Sequence, residues 1–188
     1  MKTITCKKNL LVTGGCGFIG SNFVNLIYKT NQYNIVNFDA MYYCANETNV
    51  HEEIRNSPSP QYCLVKGNLT DMALVQKVLQ EHQITHIVHF AAQSHVQNSF
   101  DDSLQFTQDN IVGTHTLLEA VRLYKRVERF IHVSTDEVYG ESMLAEDEAH
   151  KTEHSVLCPS NPYAATKAGA ELIAQAYYHS YHMPIIIT

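Results

Sequence analysis

Short apolar runs alternate with longer stretches of helical periodicity along most of this sequence. The runs at residues 9–13, 35–38, 62–65, 86–90, 130–133 and 184–187 have the length and composition of buried strands. The stretches at 18–28, 71–81, 103–124 and 163–181 carry the apolar spacing of helices. Because strands that are separated by helices pair in parallel and bury both faces of their sheet, the pattern predicts an α/β fold with a doubly wound parallel sheet.

Two segments interrupt this alternation. Residues 40–60 are polar and rich in turn-forming residues, although 50–55 are compatible with a short helix, and residues 141–159 show no strong period. We expect the first segment to form a loop over the carboxyl edge of the sheet.

Size and charge restrict the classes of protein to which the chain can belong. Its 188 residues suffice for one domain with a core but not for two ordinary domains. A net charge of -6, with basic residues scattered along the chain, provides no positive stripe for nucleic acid. The N-terminus has no apolar signal segment, and no apolar run approaches the length that spans a membrane. We therefore expect a soluble cytoplasmic protein without a nucleic-acid or membrane partner.

The cysteines and histidines do not form a convincing metal site. The five cysteines are widely scattered without a C-x-x-C pair, which argues against a disulfide framework and against zinc. His82, His86 and His89 are close in sequence, but His86 and His89 are three apart on a strand and point to opposite faces. We expect reduced thiols and no metal.

A glycine-rich segment follows the first predicted strand and reads TGGCGFIG from Thr13 to Gly20, with Gly14, Gly17 and Gly20 spaced by three. Such glycines let backbone N–H groups approach a pyrophosphate at the N-terminus of the next helix. Asp39 ends the second strand, where a carboxylate accepts hydrogen bonds from the adenosine ribose and repels the 2′-phosphate of NADP. A glycine turn without a ligand is the alternative, but the strand, helix and acid in register favour NAD binding.

The next two strands end in residues that suit the same site. Asn68 and Leu69 follow the third strand, and Ala91, Ala92 and Ser94 follow the fourth. Carboxyl ends of parallel strands share one edge of the sheet, which is where dinucleotides bind. Small alanine side chains permit close backbone approach, and Asn68 can hydrogen-bond an adenine edge, although loop packing alone would also explain these residues.

The residues with the clearest chemistry lie further along the chain. Tyr163 and Lys167 are four apart at the start of a helix, so they share a face, and a lysine ammonium near the phenol favours a phenolate base. On their own, such pairs also occur on the surfaces of ordinary helices. Asp136 and Glu137 follow the fifth strand, where a solvated turn is the alternative reading. Two carboxylates beside a Tyr/Lys pair favour dehydration, which must remove a carbon-bound proton and protonate a leaving hydroxyl.

With these motifs the chain resembles the extended short-chain dehydrogenase/reductases, and among them the nucleoside-diphosphate-glucose 4,6-dehydratases that act on dTDP-glucose or UDP-glucose. The resemblance runs from the first strand to the last residue and rests on TGGCGFIGS from Thr13, HFAAQSHV from His89, NIVGT from Asn110, STDEVYG from Ser134 and NPYAATK from Asn161. Asn68 departs from the pattern, because the family usually has an aspartate there.

The resemblance implies an NAD-binding Rossmann fold and a three-step reaction. Tyr163 takes the 4-hydroxyl proton of the sugar, assisted by Lys167 and Thr135, and Glu137 and Asp136 then remove the C5 proton and protonate the departing 6-hydroxyl. The implied catalytic residues are thus Thr135, Asp136, Glu137, Tyr163 and Lys167, and Asn110 is implied to steady the active-site helix. The implied NAD-binding residues are Gly14, Gly17, Phe18, Ile19, Gly20, Asp39, Asn68, Leu69, Ala91, Ala92, Ser94, Tyr163 and Lys167. Ser94 and Thr135 are implied to contact the nucleotide-sugar substrate, and a homodimer is expected.

Members of this family continue into a smaller C-terminal domain that binds the nucleotide and most of the sugar. We therefore expect residues 1–188 to form the NAD-binding domain of a truncated form, with weak or no turnover. A nucleotide-sugar 4-epimerase or decarboxylase is an alternative that the Asp136–Glu137 pair disfavours. A truncated NAD-binding or dimerisation module is the non-enzymatic alternative, and the choice between dTDP and UDP stays open.

Overall fold

The six predicted strands are all present in the computed structural model, which describes residues 7–140 and 150–188. Their bounds are β1 Lys8–Thr13, β2 Tyr33–Asp39, β3 Tyr62–Lys66, β4 His86–His89, β5 Arg129–His132 and β6 Ile185–Ile187. Each predicted strand end lies within two residues of the observed one. The alternation of strand and helix therefore located the sheet correctly.

The helices confirm most of the helical pattern. They are α1 Phe18–Lys29, α2 Glu52–Arg55, α3 Met72–Glu81, α4 Val96–Asp101, α5 Ser103–Phe106, α6 Gly113–Tyr124 and α7 Pro162–Tyr181, with 3₁₀ turns at Glu47–Asn49 and Asp136–Tyr139. The single helix expected over 103–124 is instead α5, a π-helical segment Thr107–Val112 and α6. The sequence analysis also missed α4, because its six mostly polar residues carry too little periodicity.

All strand pairs are parallel, and the strands lie in the order β3-β2-β1-β4-β5-β6. This order reverses direction between β1 and β4. In sheets of this kind, ligands bind at the carboxyl ends of the strands on either side of that reversal. The doubly wound Rossmann fold is confirmed, and its crevice lies where the glycine-rich segment follows β1.

Alternate residues of β1 supply two separate cores, one on each face of the sheet. Leu11 packs on one face with apolar residues from α3, α6 and α7. Leu10 and Val12 pack on the other face with Val24 of α1 and Ile54 of α2. Successive side chains of a strand point to opposite faces, so both faces of this central strand are apolar.

The loop segments agree with the sequence analysis as far as they are described. Residues 40–60 contain one 3₁₀ turn and the short helix α2. Of the segment expected to be irregular, residues 141–149 lie outside the described residues, and 150–159 contain neither helix nor strand. Within the two described ranges, no helix combines the length and apolar character needed to cross a membrane.

Candidate active site

The glycine-rich segment brings the start of α1 close to the ends of β1 and β4. Gly14 has a φ of +71°, and a methyl group on it would lie 2.8 Å from the Ala91 Cα atom. A methyl group on Gly20 would overlap the Gly14 carbonyl oxygen. No side chain among the described residues caps α1 at Gly17. The first N–H groups of α1 therefore face a cavity of about 350 Å³, where the end of a helix favours an anion such as a pyrophosphate.

Asp39 is held rigidly at the end of β2 beside this helix start. Its side chain is buried, and its two carboxylate oxygens accept hydrogen bonds from the backbone N–H groups of Cys16 and Met41, each at 2.8 Å. A carboxylate has about four acceptor positions, so two of them are used within the protein. Since Asp39 lines the cavity, the remaining positions suit ribose hydroxyl groups.

Asn68 and Leu69 line the same cavity at the end of β3, but Asn68 is engaged within the protein. The Asn68 Oδ1 atom accepts hydrogen bonds from the backbone and the hydroxyl of Thr70, both at 2.9 Å. Its Nδ2 atom donates to the Tyr42 hydroxyl at 2.8 Å and to Asp109 Oδ1 at 3.4 Å. Tyr42 and Asp109 also line the cavity and were not selected as site residues. Tyr42 lies in the loop that was expected over this edge of the sheet, whereas no local pattern marks Asp109.

The loop after β4 is held in place by Asn110. Ala91, Ala92 and Ser94 line the cavity together with Gln93, which the sequence analysis did not select. Asn110 Oδ1 accepts from the Gln93 backbone N–H at 2.7 Å, and Asn110 Nδ2 donates to the Gln93 carbonyl oxygen at 3.0 Å. Asn110 Nδ2 also donates to the Thr166 hydroxyl of α7 at 2.9 Å. This buried amide therefore joins the β4 loop to the helix that carries Tyr163, as the family resemblance implied.

Tyr163 and Lys167 both face the cavity from the start of α7. Asn161 caps this helix, because its Oδ1 atom accepts from the Ala164 N–H at 2.8 Å, and Pro162 occupies the first turn. Lys167 Nζ donates to the Val133 carbonyl oxygen at 2.6 Å. Tyr163 and Lys167 therefore share one face of α7, as their spacing predicted.

The electrostatics of this pair are dominated by burial. Burial lowers the pKa of Lys167 to about 8, against the opposing effect of the Glu171 charge. Burial also raises the pKa of Tyr163, and a hydrogen bond with Thr135 opposes this while the charges of Glu137 and Asp136 add to it. The pKa of Tyr163 is raised overall, so a phenolate base requires more positive charge than these residues supply.

The three residues expected to complete the chemistry lie next to Tyr163 rather than in the cavity lining. Thr135 caps the 3₁₀ turn that carries Asp136 and Glu137, with its hydroxyl accepting from the Glu137 N–H at 3.4 Å. Glu137 Oε2 accepts from Asn161 Nδ2 at 3.0 Å, so the residue that caps α7 also orients this carboxylate. Asp136 is exposed and accepts a 3.4 Å hydrogen bond from Thr135.

Two buried histidines lie beneath the lysine end of the cavity. His89 contacts the hydroxyls of Thr13 at 2.7 Å and Thr114 at 2.9 Å. His132 packs against it with ring centroids 5.4 Å apart, and neither of its ring nitrogens has a hydrogen-bond partner among the described residues. Burial and the charge of Lys167 lower the pKa of His132 to about 3. Burial lowers the pKa of His89 as well, so both rings are neutral parts of the core. The described residues contain no group of three metal-binding side chains.

Comparison with known proteins agrees with this arrangement. The sequence profile described as GDP-mannose 4,6 dehydratase matches residues 11–188. A trifunctional UDP-glucose 4,6-dehydratase/UDP-4-keto-6-deoxy-D-glucose 3,5-epimerase/UDP-4-keto-L-rhamnose-reductase of Arabidopsis thaliana is 47% identical over 184 residues, which are 96% of this chain and 27% of that protein. The crystal structure of dTDP-glucose 4,6-dehydratase from Bacillus anthracis in complex with NAD superposes with a TM-score of 0.83 at 41% identity, covering 96% of this chain and 53% of that one.

A UDP-glucose 4-epimerase from Brucella ovis, in complex with NAD, has a similar fold at lower identity. Its TM-score is 0.81 at 28% identity, and the match covers 96% of this chain and 50% of that one. The chain thus spans about half the length of these solved structures and about a quarter of the plant protein. Because the family profile matches nearly all of its residues, the chain belongs to the GDP-mannose 4,6 dehydratase family.

Proposed function

We propose that this protein catalyses the NAD-dependent 4,6-dehydration of a nucleotide-activated glucose, dTDP-glucose or UDP-glucose, to the 4-keto-6-deoxy sugar. The observation that carries the proposal is the group of Asp136 and Glu137 beside Tyr163, at the Lys167 end of a cavity suited to a dinucleotide. An enzyme that only transfers a hydride needs one proton-handling group, whereas dehydration needs two more. The Glu137 carboxylate is oriented by a hydrogen bond from Asn161, which suits a base that removes one particular proton.

The cavity fits NAD by the character of its lining. The proposed NAD-binding residues are Gly14, Gly17, Phe18, Ile19, Gly20, Asp39, Asn68, Leu69, Ala91, Ala92, Ser94, Tyr163 and Lys167, and all of them line it. The uncapped start of α1 suits the pyrophosphate, and Asp39 suits the adenosine ribose. A bound NAD would supply the acceptor for the hydride of the sugar C4 carbon and the donor that returns it at C6.

Tyr163 acts first, as the base that takes the proton of the 4-hydroxyl group. Thr135 hydrogen-bonds the phenol and contacts the same substrate hydroxyl in this proposal, and Ser94 contacts the substrate from the β4 loop. Lys167 supplies positive charge on the same face of α7, with its ammonium anchored to the Val133 carbonyl. Together with the positive charge that a bound NAD would supply, these residues would favour the phenolate.

Glu137 and Asp136 carry out the elimination. A ketone at C4 acidifies the C5 proton, which Glu137 removes, and the electron pair expels the 6-hydroxyl group. Asp136, in its protonated form, gives that group a proton so that it leaves as water. Glu137 then gives its proton back to C5 as the hydride reaches C6, which completes the 4-keto-6-deoxy sugar. Each of these proton transfers contributes roughly 10²- to 10⁴-fold to the rate in enzymes. The Asp136 carboxylate is exposed, so it can exchange its proton with solvent between turnovers.

The proposal also covers the nucleotide of the substrate, the oligomeric state and the cellular location. The relative from Arabidopsis thaliana is named as a UDP-glucose 4,6-dehydratase and a UDP-4-keto-L-rhamnose-reductase, which supports UDP-glucose as a substrate and a role in making a deoxysugar such as rhamnose. Leu123, Leu172, Tyr178 and Tyr181 are about half exposed on α6 and α7, which supports a homodimer formed through these helices. We propose a cytoplasmic enzyme in which residues 1–188 supply the NAD-binding domain.

Calorimetric titration with NAD, and then with UDP-glucose and dTDP-glucose, tests the binding part of this proposal. The chemistry is tested under single-turnover conditions by the absorbance of reduced nicotinamide. Glu137→Gln keeps an acceptor for Asn161 but cannot take the C5 proton, so reduced nicotinamide accumulates, whereas Tyr163→Phe forms none. A chain that fails to bind NAD refutes the proposal. Formation of UDP-galactose from UDP-glucose would indicate the 4-epimerase instead.

A further inference from the structure

Four side chains donate hydrogen bonds to the carboxylate of Asp109, which lies in the π-helical segment. Asp109 Oδ1 accepts from the Tyr42 hydroxyl at 3.2 Å and from Asn68 at 3.4 Å. Asp109 Oδ2 accepts from Gln105 at 2.8 Å and from Gln93 at 2.9 Å. We call these five residues the Asp109 cluster. Four of them, all except Gln105, line the cavity.

The cluster lies at the adenosine end of the proposed NAD site. Tyr42 follows β2 three residues after Asp39, and Asn68 follows β3. These two strands lie on the opposite side of β1 from β4 and β5, whose ends lead to Tyr163 and Lys167. A dinucleotide that places its pyrophosphate at α1 and its ribose at Asp39 therefore directs its base towards Tyr42 and Asn68.

Asn68 has no group left to read that base. An asparagine amide has two N–H donors and two lone pairs on its oxygen. Thr70 uses both lone pairs of Asn68, and Tyr42 and Asp109 use both N–H groups. Asn68, which replaces the family's usual aspartate, therefore uses its hydrogen-bonding groups to stabilise the cluster.

Tyr42 is the member with an open position. Its hydroxyl donates its only proton to Asp109 and accepts one hydrogen bond from Asn68. A phenolic oxygen has two lone pairs, so one remains unused by residues 7–140 and 150–188. Burial and the neighbouring Asp109 charge raise the pKa of Tyr42, so the phenol stays protonated and its O–H group donates to Asp109. Towards a ligand, the Tyr42 oxygen is therefore an acceptor only.

We propose that the Tyr42 oxygen accepts a hydrogen bond from the exocyclic amino group of adenine, with Asn68 and Asp109 as positioning residues that make it an acceptor. This inference rests on the proposed NAD site. The arrangement selects a base with an amino group at this position over one with a carbonyl oxygen, because two acceptors facing each other leave both without a donor. Recognition of adenine thus depends on a phenol whose polarity is set by a carboxylate on the π-helical segment.

The test compares the Kd values for NAD and for nicotinamide hypoxanthine dinucleotide, in which a carbonyl oxygen replaces the adenine amino group. The wild-type chain should bind NAD roughly tenfold more tightly, the effect of exchanging a hydrogen bond for an unpaired acceptor. Tyr42→Phe should reduce this ratio to about two or less, since the phenyl ring keeps the shape but has no acceptor. Tyr43→Phe is the matched control, because Tyr43 is adjacent, 62% exposed and outside the cavity lining.

Each outcome has a definite meaning. A wild-type ratio near ten that is lost in Tyr42→Phe and kept in Tyr43→Phe supports the inference. A wild-type ratio near one, or an unchanged ratio in Tyr42→Phe, overturns it while the NAD site stands. Failure of the wild-type chain to bind either dinucleotide overturns the proposed function and this inference with it. Thermal melting of both variants verifies that they are folded, which the partial exposure of Tyr42 and Tyr43 favours.

Discussion

Asn161 performs two tasks with one side chain, and substituting it separates them. Its Oδ1 atom caps α7 through the Ala164 N–H at 2.8 Å, and its Nδ2 atom donates to Glu137 at 3.0 Å. Loss of an N-cap costs about 1 kcal/mol. Loss of a partly exposed hydrogen bond to a carboxylate costs about 1 kcal/mol more. Asn161→Ala should therefore destabilise the fold by about 2 kcal/mol, the sum of these two losses.

Thermal unfolding followed by circular dichroism measures this loss. A domain of this size loses roughly 2–4 °C of Tm for each kcal/mol, so Asn161→Ala should lower Tm by roughly 4–8 °C. Asn161→Ser is the matched variant, because serine caps helices as well as asparagine does but is too short to keep the contact with Glu137. It should lower Tm by about half as much.

The relation between the two variants decides whether this reasoning holds. Equal losses in Asn161→Ala and Asn161→Ser would show that the cap on α7 contributes nothing. An unchanged Tm in Asn161→Ala would refute both contributions together. The expected order is wild type, then the serine variant, then the alanine variant.

Three further predictions concern the glycine loop, the buried histidine and an exposed thiol. Gly20→Ala should unfold or strongly destabilise the loop, because its methyl group would overlap backbone atoms. The methyl group of Gly17→Ala would meet its nearest atom, the Gly14 carbonyl oxygen, at 3.4 Å. This variant should therefore keep its Tm and weaken NAD binding in calorimetry. Burial lowers the pKa of His132 to about 3 from an ordinary 6.5, so the unfolded chain binds the extra proton and stability falls as the pH drops from 6.5 towards 3. His132→Leu should lose less stability than wild type between pH 7.5 and 5 in urea unfolding, and a parallel loss would refute this. Cys44 is exposed and lines the cavity, so NAD should slow its alkylation while exposed Cys158 reacts unchanged, as mass spectrometry of the labelled peptides would show.

Much of the fold could be predicted from the sequence, because the information that specifies it is local. A strand or helix shows its buried face through the period of its apolar residues, and the glycine-rich turn is recognised by three glycines spaced three residues apart. The strand order and the position of the crevice then follow from general rules for parallel sheets. The exception was the stretch 103–124, where a π-helical segment interrupts an apolar spacing that reads as one continuous helix.

The site also contains residues that local sequence predicts and residues that only the folded chain brings together. The proposed cofactor and catalytic residues were predicted because each lies in a short motif or at the end of a strand. The Asp109 cluster was missed, since its hydrogen bonds join residues up to 67 positions apart and depend on which side chains face each other once the sheet has formed. The direction in which the pKa of Tyr163 shifts could not be predicted either. The sequence suggested that Lys167 would lower it, whereas in the folded chain burial dominates and raises it.

The sequence by itself therefore determined the doubly wound sheet, its glycine-rich turn and the motif residues that mark its carboxyl edge, because spacing along the chain encodes which residues share a face. Only the tertiary structure decided that Asn161 serves both α7 and Glu137. The same holds for two properties within the described part of the chain: the buried His132 ring has no hydrogen-bond partner, and Tyr42 keeps one open acceptor. These properties depend on how close residues from distant segments lie and how much water the fold excludes from them. Neither quantity exists until the chain has folded.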